Sequence, residues 1–364
     1  MNTITLTFVV TKSCQLRCKY CYLVGKNPNE VMTLATAIKA LNVFHESIKN
    51  NNNLLVVFDF IGGEPLLEID LIDAIMSYIN GNIHNGKYYK FVNYEIRITT
   101  NGLLYSTLKV QQFIQKYKEQ LHISISVDGN EEKNDLNRVF IDGKGSYENI
   151  IENVKLWIRQ FPNEGTKMTI SHSDVPFVFE SVKHHIGLGI KKIDVNPVVE
   201  DVWQTGDAEL LEEQLIKVAD YIIDNGLSDI VSISSFDQRI GCPVKDIVPH
   251  PCGTMTLSVD SNGYFYTCLR FAKFSLRTKD PLIIGDVDKG IDFNKLRPLK
   301  SITNEAVYPK KCLDCEISSG CKWCPAESYD SFGSIYVKTT FACDIHKAKV
   351  KANNYYWNKL FYSK

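Results

Sequence analysis

Long apolar runs are missing from this chain. The longest are strand-sized, well short of the roughly 20 residues that a helix needs to cross a bilayer. The opening Met1-Asn2-Thr3-Ile4-Thr5-Leu6-Thr7-Phe8 has no basic head followed by a long apolar stretch, so no secretory signal is read there. Neither sign of charge is in surplus: 41 Lys and Arg face 42 Asp and Glu, a formal net charge of −1. That balance leaves no global basic field to hold nucleic acid or an anionic membrane. With 44% hydrophobic and 23% charged residues, the composition is that of an ordinary globular protein, which excludes disorder, collagen and coiled coil. A length of 364 residues is expected to fold as about two domains. These absences lead to the expectation of a soluble, cytoplasmic protein with neither nucleic acid nor membrane as partner.

Cysteine, by contrast, is plentiful. Eleven is an odd number, which suits a disulfide framework poorly, and a cytoplasmic chain keeps its thiols reduced. The cysteines are therefore inert core residues or ligands, and their spacing has to decide.

Along residues 1–225, apolar runs of strand length alternate six times with helical periodicity. The expected strands are Ile4 to Val10, Leu54 to Phe60, Tyr94 to Ile98, His122 to Val127, Lys167 to Ile170 and Ile193 to Val195. The intervening helices include one with Leu34, Ala37, Ile38, Leu41 and Phe44 on one face, and another from about Asp207 to Ile223. Such βα alternation predicts an α/β fold, a partial (β/α)6 barrel with parallel strands. In these sheets chemistry gathers where strands hand over to loops.

Directly after the first strand stand Cys14, Cys18 and Cys21 in a Cys-x3-Cys-x2-Cys run, with Tyr20 before the third cysteine. A zinc site normally takes four ligands, and the nearest other cysteine is Cys242. Three thiolates so close together suit a cubane cluster with one iron left open. Gly62-Gly63-Glu64-Pro65 follows the second strand, Thr100-Asn101-Gly102 the third, Ser124 and Ser126 lie at the end of the fourth, and Arg138 lies beyond it. A hydroxyl and a guanidinium are suitable partners for a carboxylate. Asn196 and Pro197 follow the sixth strand.

The alternation stops after about Asp229, and eight of the eleven cysteines lie between Cys242 and Cys343. Cys252 and Cys268 flank a hairpin turned on Asp260-Ser261-Asn262-Gly263. Then come Cys312, Cys315, Cys321, Cys324 and Cys343, with too short a gap between the two pairs for a zinc ribbon.

The first cysteine run resembles the signature of the radical S-adenosylmethionine enzymes, and the loops that follow resemble that family's nucleoside-binding loops. The resemblance implies that Cys14, Cys18 and Cys21 hold a [4Fe-4S] cluster that binds and cleaves S-adenosylmethionine to a 5′-deoxyadenosyl radical. It places Gly62, Gly63, Glu64 and Pro65 at the methionine ammonium, and Thr100 and Asn101 near the ribose. Ser124, Ser126 and Arg138 are placed at the carboxylate, Asn196 and Pro197 beside the adenine. The C-terminal cysteines resemble the SPASM extension, which carries two auxiliary [4Fe-4S] clusters, apart from two rather than three residues between Cys321 and Cys324. By that resemblance Cys312, Cys315, Cys321 and Cys343 hold the second auxiliary cluster, and Cys252, Cys268 and Cys324 the first. Cys242 either completes the first set or is a structural thiol.

The implied division is a barrel over 1–228, a bridging segment over 229–251, the SPASM domain over 252–346 and a C-terminal helix over 347–364. The branch resembled is that of ranthipeptide- or freyrasin-type maturases, which form thioether links in cysteine-rich precursor peptides. Asn196 to Trp203, Thr267 to Phe271, Gly320 to Cys324 and Asn353 to Leu360 are its supporting stretches. Implied partners are that peptide, a flavodoxin- or ferredoxin-like electron donor, and a separate leader-binding protein if the barrel or C-terminal region does not recognise the leader. Carbon–carbon cyclophane formation and sulfatase maturation are the alternatives. Leu269, where sulfatase maturases carry Asp, counts against the latter. An electron-transfer protein would have no need of the nucleoside set. The tail from Ile345, with five lysines and several aromatics, is expected to pack on the barrel with its lysines in water. His172, His184, His185 and His346 are expected to be exposed or hydrogen-bonded.

Overall fold

In β1 (Asn2–Thr11) Thr3, Thr5 and Thr7 alternate with Ile4, Leu6 and Phe8, and every residue from Leu6 onward is buried. In the computed structural model, which describes residues 2–26, 29–243 and 255–363, Leu6 and Phe8 are fully buried and pair in register with Phe58 and Phe60 of β2 (Leu54–Gly62). Phe8 and Phe60 stack with ring centroids 5.4 Å apart. On the same side Phe58 meets Phe91, which also packs on Phe44 of α1 (Leu34–Ser47). The opposite face carries one polar row, Ser258, Thr7, Asp59 and Arg97, across four neighbouring strands, beside buried Val9 and Val57.

The chain divides into two compact units that interleave in sequence. The first comprises residues 1–15, 21–123 and 248–303; the second comprises 16–20, 124–247 and 304–364. The first is built on β1, β2, β3 (Tyr94–Thr100) and β4 (Leu121–Ile125), with α1, α2 (Ile69–His84) and α3 (Leu108–Tyr117). On the other edge of β1 lies β8 (Thr256–Val259), parallel to it. β9 (Tyr264–Tyr266) returns antiparallel from β8, and β10 (Gly285–Asp286) and β11 (Gly290–Ile291) complete an eight-stranded sheet. The Asp260 carboxylate fixes the β8–β9 turn by accepting from the Asn262 and Tyr264 amides and the Tyr266 hydroxyl, each at 3.0 Å.

The second unit holds a separate parallel sheet of β5 (Gly165–Ile170), β6 (Lys192–Pro197) and β7 (Ser232–Ile233). Its helices are α4 (Glu131–Asn137), α5 (Tyr147–Gln160), α6 (Val178–Leu188) and α7 (Asp207–Asp224). The six expected barrel strands are all present, divided four and two between the sheets. Where β4 ends, side chains take over from the ladder: Ser124 Oγ donates to the Gly165 carbonyl at 2.5 Å, and Thr166 Oγ1 to the Ile125 carbonyl at 2.9 Å.

The C-terminal helix (Cys343–Ser363) packs along α7. Lys351 pairs with Glu212 at 2.9 Å, and Lys359 with Asp220 at 2.8 Å and Asp224 at 3.0 Å. Tyr355 donates to Asp220 at 2.8 Å. Lys351 and Lys359 thus bond to acids of α7, Lys347 and Lys351 stay more than half exposed as expected, and Lys349 departs from that expectation by being only 7% exposed. No helix among the described residues is long and apolar enough to cross a membrane.

Candidate active site

In the first unit, the glycine pair after β2 is there for the chain itself. A Cβ on Gly62 would lie 2.2 Å from the Thr11 carbonyl oxygen, and one on Gly63 would lie 2.1 Å from that of Ser13. The Gly63 and Glu64 amides donate to those same carbonyls at 2.9 and 2.8 Å. Only glycine lets this backbone lie against the lead-in to Cys14. Glu64 is buried, and its carboxylate ties the end of β2 to the end of β3. One oxygen accepts from the Thr100 hydroxyl at 2.7 Å and the Leu66 amide at 3.0 Å, the other from the Asn101 amide at 2.7 Å. Asn101 in turn directs Nδ2 at Cys14 Sγ (3.9 Å) and at Gln15 Oε1 (3.2 Å). Pro65 is buried at the start of the turn that follows.

Cys14 and Cys21 belong to this unit, each half-buried and neither in a disulfide. The segment after Cys21 docks on the residues that follow Cys268. The Val24 and Gly25 amides donate to the Phe274 carbonyl at 2.8 and 3.1 Å, and the Arg270 guanidinium lies 5.6 Å from the centre of the Tyr22 ring.

In the second unit, residues 16–20 are strapped to the stretch after α4: the Arg17 amide donates to the Val139 carbonyl at 2.7 Å and the Lys19 amide to that of Asn137 at 3.1 Å. Tyr20 donates its hydroxyl to Asp128 and accepts from Arg138 Nη1 at 2.9 Å. Burial opposes the charge on Arg138, but Tyr20, Cys18 and Asp128 around it hold its pKa well above the usual guanidinium value. Burial is also what keeps the Tyr20 phenol protonated. Arg138 is 6% exposed, and its Nε is a buried donor without an acceptor. Ser126 is half-buried, and its hydroxyl makes no hydrogen bond among the described residues. A donor and a hydroxyl left open in this way fit a carboxylate ligand. Ser124, by contrast, spends its hydroxyl on the Gly165 carbonyl.

At the end of β6, Asn196 accepts from Lys322 at 3.4 Å, and Pro197 is buried beside Gly320 and Ala342. Cys312, Cys321 and Cys343 line one small pocket with Val199, Lys322 and Lys338. Burial pushes the Cys321 and Cys312 thiols up, Lys338 pulls both down, and Cys343 pushes both up again. Cys315 adds to the upward push on Cys312. This is the mutual influence expected of thiols gathered round one centre. Among the described residues no His, Cys, Asp or Glu converge tightly enough for a single metal ion. A cubane spaces its thiolates more widely than one ion does, and the Cys312/Cys315/Cys321/Cys343 set fits such a group. Cys242 is exposed, and its carbonyl accepts from the Ser319 amide at 2.9 Å. Cys268 belongs to the first unit and Cys324 to the second, while Cys252 lies outside the described residues, along with 244–251 of the bridging segment.

Two features escaped the sequence reading. Asp59, on the polar face of the first unit's sheet, accepts from Thr7 at 3.0 Å, and burial pushes its carboxyl up to about 6 against the pull of Thr7 and Arg97. Alternation in β2 marks Asp59 as facing away from the Phe58/Phe60 side, the one signal available. The other is a fully buried pair, Lys133 and Asp174, 3.5 Å apart. Lys133 also donates to the Thr169 carbonyl at 2.8 Å, while Asp174 accepts from Asn137 at 2.7 Å and from the Ser171 hydroxyl at 2.6 Å.

The histidines need one correction. His172 bonds Asp207 at 2.7 Å, His184 bonds Tyr147 at 2.6 Å and His346 bonds the Ile317 carbonyl at 2.7 Å, as expected. His185 is not exposed but fully buried, with the Val127 backbone at its ring, and burial pushes it down to about 3, which keeps it neutral.

If Arg138 meets a ligand carboxylate, Arg138→Ala removes a charge-assisted bond worth about 1.5–3 kcal/mol, a roughly ten- to hundredfold loss of S-adenosylmethionine affinity. Equilibrium dialysis with iron content held constant checks this. Unchanged affinity would leave Arg138 as a structural link to Tyr20.

Comparison with known proteins bears on the family and the fold. Residues 8–172 match the Radical SAM superfamily model. An uncharacterized protein of Methanocaldococcus jannaschii is 32% identical over 189 residues, covering 52% of this chain and 60% of that protein. The chain thus spans less than two thirds of that relative. The radical SAM cyclopropyl synthase TigE of Paramaledivibacter caminithermalis is 21% identical over 95% of this chain and 73% of its own. Among solved structures, native anSMEcpe with bound AdoMet and a Cp18Cys peptide superposes over the whole of both chains, with a TM-score of 0.71 at 17% identity. That similarity shows the fold.

Proposed function

We propose that this radical SAM superfamily enzyme modifies a peptide, closing thioether links in a cysteine-rich, ribosomally made precursor. Residues 8–172 carry the superfamily's domain, so the expected fold and enzyme class stand on the family match. What carries the finer reading is the thiol set Cys312, Cys321 and Cys343 around one pocket, with Cys315 close to Cys312. It is a second cluster site, distinct in sequence from Cys14, Cys18 and Cys21. Joining a thiol to a carbon that has lost a hydrogen atom releases one proton and one electron, so such chemistry needs a group that accepts this electron, in addition to the donor that starts it.

When bound, S-adenosylmethionine and a [4Fe-4S] cluster with one open iron supply one-electron cleavage and a hydrogen-abstracting radical. The chain's own residues bind and orient. Cys14, Cys18 and Cys21 hold the iron. Glu64, through Thr100 and Asn101, fixes the loop ends beside Cys14. Arg138 and Ser126 offer donors to the methionine carboxylate. Asn196 and Pro197 border the adenine. Cys252, Cys268 and Cys324, with Cys242 as a candidate fourth ligand, hold the first auxiliary cluster. By this reading the barrel ends near residue 228, and the SPASM domain runs from 252 to 346. A flavodoxin- or ferredoxin-like protein supplies the electron, and a separate protein is a candidate for leader binding.

Carbon–carbon bond formation is the second reading, favoured by the likeness to a cyclopropyl synthase over 95% of this chain. Mass spectrometry of the co-expressed peptide after reduction and alkylation separates the two. A thioether lowers the mass by about two daltons per link and removes one alkylatable thiol, whereas a carbon–carbon link gives the same loss with every thiol still reactive. If all cysteines take the reagent, the thioether reading is wrong.

A further inference from the structure

Lys338 is a buried cation with no carboxylate partner among the described residues. It is 7% exposed, and its ammonium lies 4.3 Å from the centre of the Tyr308 ring and 5.8 Å from that of Trp323. Two aromatic faces so placed hold a cation by its charge. Among the described residues its hydrogen-bond acceptor is Cys321 Sγ, at 3.6 Å, within the distance a sulfur acceptor allows. It lines the same pocket as Cys312, Cys321 and Cys343. The other lysines of this region are placed differently. Lys322 donates to Asn196, Lys347 pairs with Asp344, and Lys349 lines the adjoining pocket with His346. Of these four lysines, Lys338 is the one hydrogen-bonded to a thiol.

We propose that Lys338 is a positioning residue that donates to the Cys321 sulfur and sets the reduction potential of the cluster held by Cys312, Cys315, Cys321 and Cys343. This rests on the reading of that set as the second auxiliary cluster. Reduction adds one electron, and the added negative charge spreads onto the ligand sulfurs. A fixed positive charge and an N–H donor at one sulfur stabilise the reduced form and raise the potential. No bond is made or broken, and the electron is the one delivered by the reductant of the titration. The aromatic pair matters because it holds the ammonium in place without neutralising it, as a carboxylate would.

The test is an EPR-monitored redox titration of full-length, anaerobically reconstituted protein. It is run in a background lacking Cys14, Cys18 and Cys21, so that the catalytic cluster does not contribute. Lys338→Met is expected to shift the reduction equilibrium of one cluster toward the oxidised form by about tenfold, which is 59 mV for a one-electron couple. Lys338→Arg, which keeps the charge, is expected to stay within about twofold of the parent. Should the methionine variant lose iron, Lys338→Gln, which keeps a neutral donor, is titrated in its place and is expected to fall between the two. An unchanged midpoint at full iron content overturns the proposal for Lys338. A parent protein that holds no iron on Cys312, Cys315, Cys321 and Cys343, judged by iron counts of their alanine variants, overturns the cluster reading instead.

Discussion

A variant with Cys14, Cys18 and Cys21 all replaced by alanine is expected to form no 5′-deoxyadenosine from S-adenosylmethionine. It should also hold about one third less iron than the parent, one cubane of three. The expectation rests on the three-cysteine spacing within the matched Radical SAM region and on the care with which the fold fixes its surroundings. The lead-in to Cys14 is held by backbone contacts that only glycine at 62 and 63 permits, and Asn101 reaches the Cys14 thiol from the end of β3. Cys18 lies on a strap pinned to residues 137 and 139, next to the Tyr20–Arg138 link. Anaerobic incubation with dithionite, with chromatography for 5′-deoxyadenosine and a colorimetric iron assay, reads both outcomes. Cleavage that persists in the triple variant would move the catalytic cluster elsewhere. Far-ultraviolet circular dichroism unchanged from the parent shows that the loss is chemical and not structural.

The second large effect is on stability. Asp174→Ala is expected to destabilise the protein by about 3–5 kcal/mol, because it strands the fully buried Lys133 ammonium and also leaves Asn137 and Ser171 without their acceptor. Replacing both members, Lys133→Met with Asp174→Leu, removes the stranded charge and should lose much less. Urea unfolding followed by circular dichroism, fitted for the transition of the second unit, compares the three proteins. A loss below about 1 kcal/mol for Asp174→Ala would mean that water reaches this pair.

The pair also shows where the sequence was silent. α4 has seven residues, and its buried positions are Lys133, Asn134 and Asn137. A helix whose inward face is polar offers no apolar period, so nothing in the pattern distinguishes it from a loop. Its partner Asp174 lies in a different stretch, 41 residues on, as the two residue numbers show. The six barrel strands were legible because their alternation is local. The division of the strands into two sheets after β4 was not, because pairing between strands distant in sequence leaves no local mark. Likewise, nothing in residues 256–259 announces that this strand continues the barrel's sheet beside β1.

Of the candidate site, the cysteines were read from spacing and from the family resemblance, and Gly62, Gly63 and Glu64 from their likeness to a family loop. The resemblance is what implies a ligand's ammonium at this stretch. The structure shows the glycines admitting backbone to within hydrogen-bond distance of Thr11 and Ser13, and the Glu64 carboxylate occupied by Leu66, Thr100 and Asn101. Asp59 could not be singled out in advance, because a lone acid in a strand is usually a solvated surface residue. Here it lies between Thr7 and Arg97 in a polar row, and burial decides its protonation.

The central claim is that this protein takes a hydrogen atom from a peptide. Incubating the reconstituted enzyme with S-adenosylmethionine, a reductant and precursor peptide deuterated at its carbon-bound positions tests it directly. The account predicts 5′-deoxyadenosine carrying one deuterium, formed alongside a peptide lighter by one deuterium and one further hydrogen per link. Crosslinked peptide accompanied only by unlabelled 5′-deoxyadenosine would contradict it.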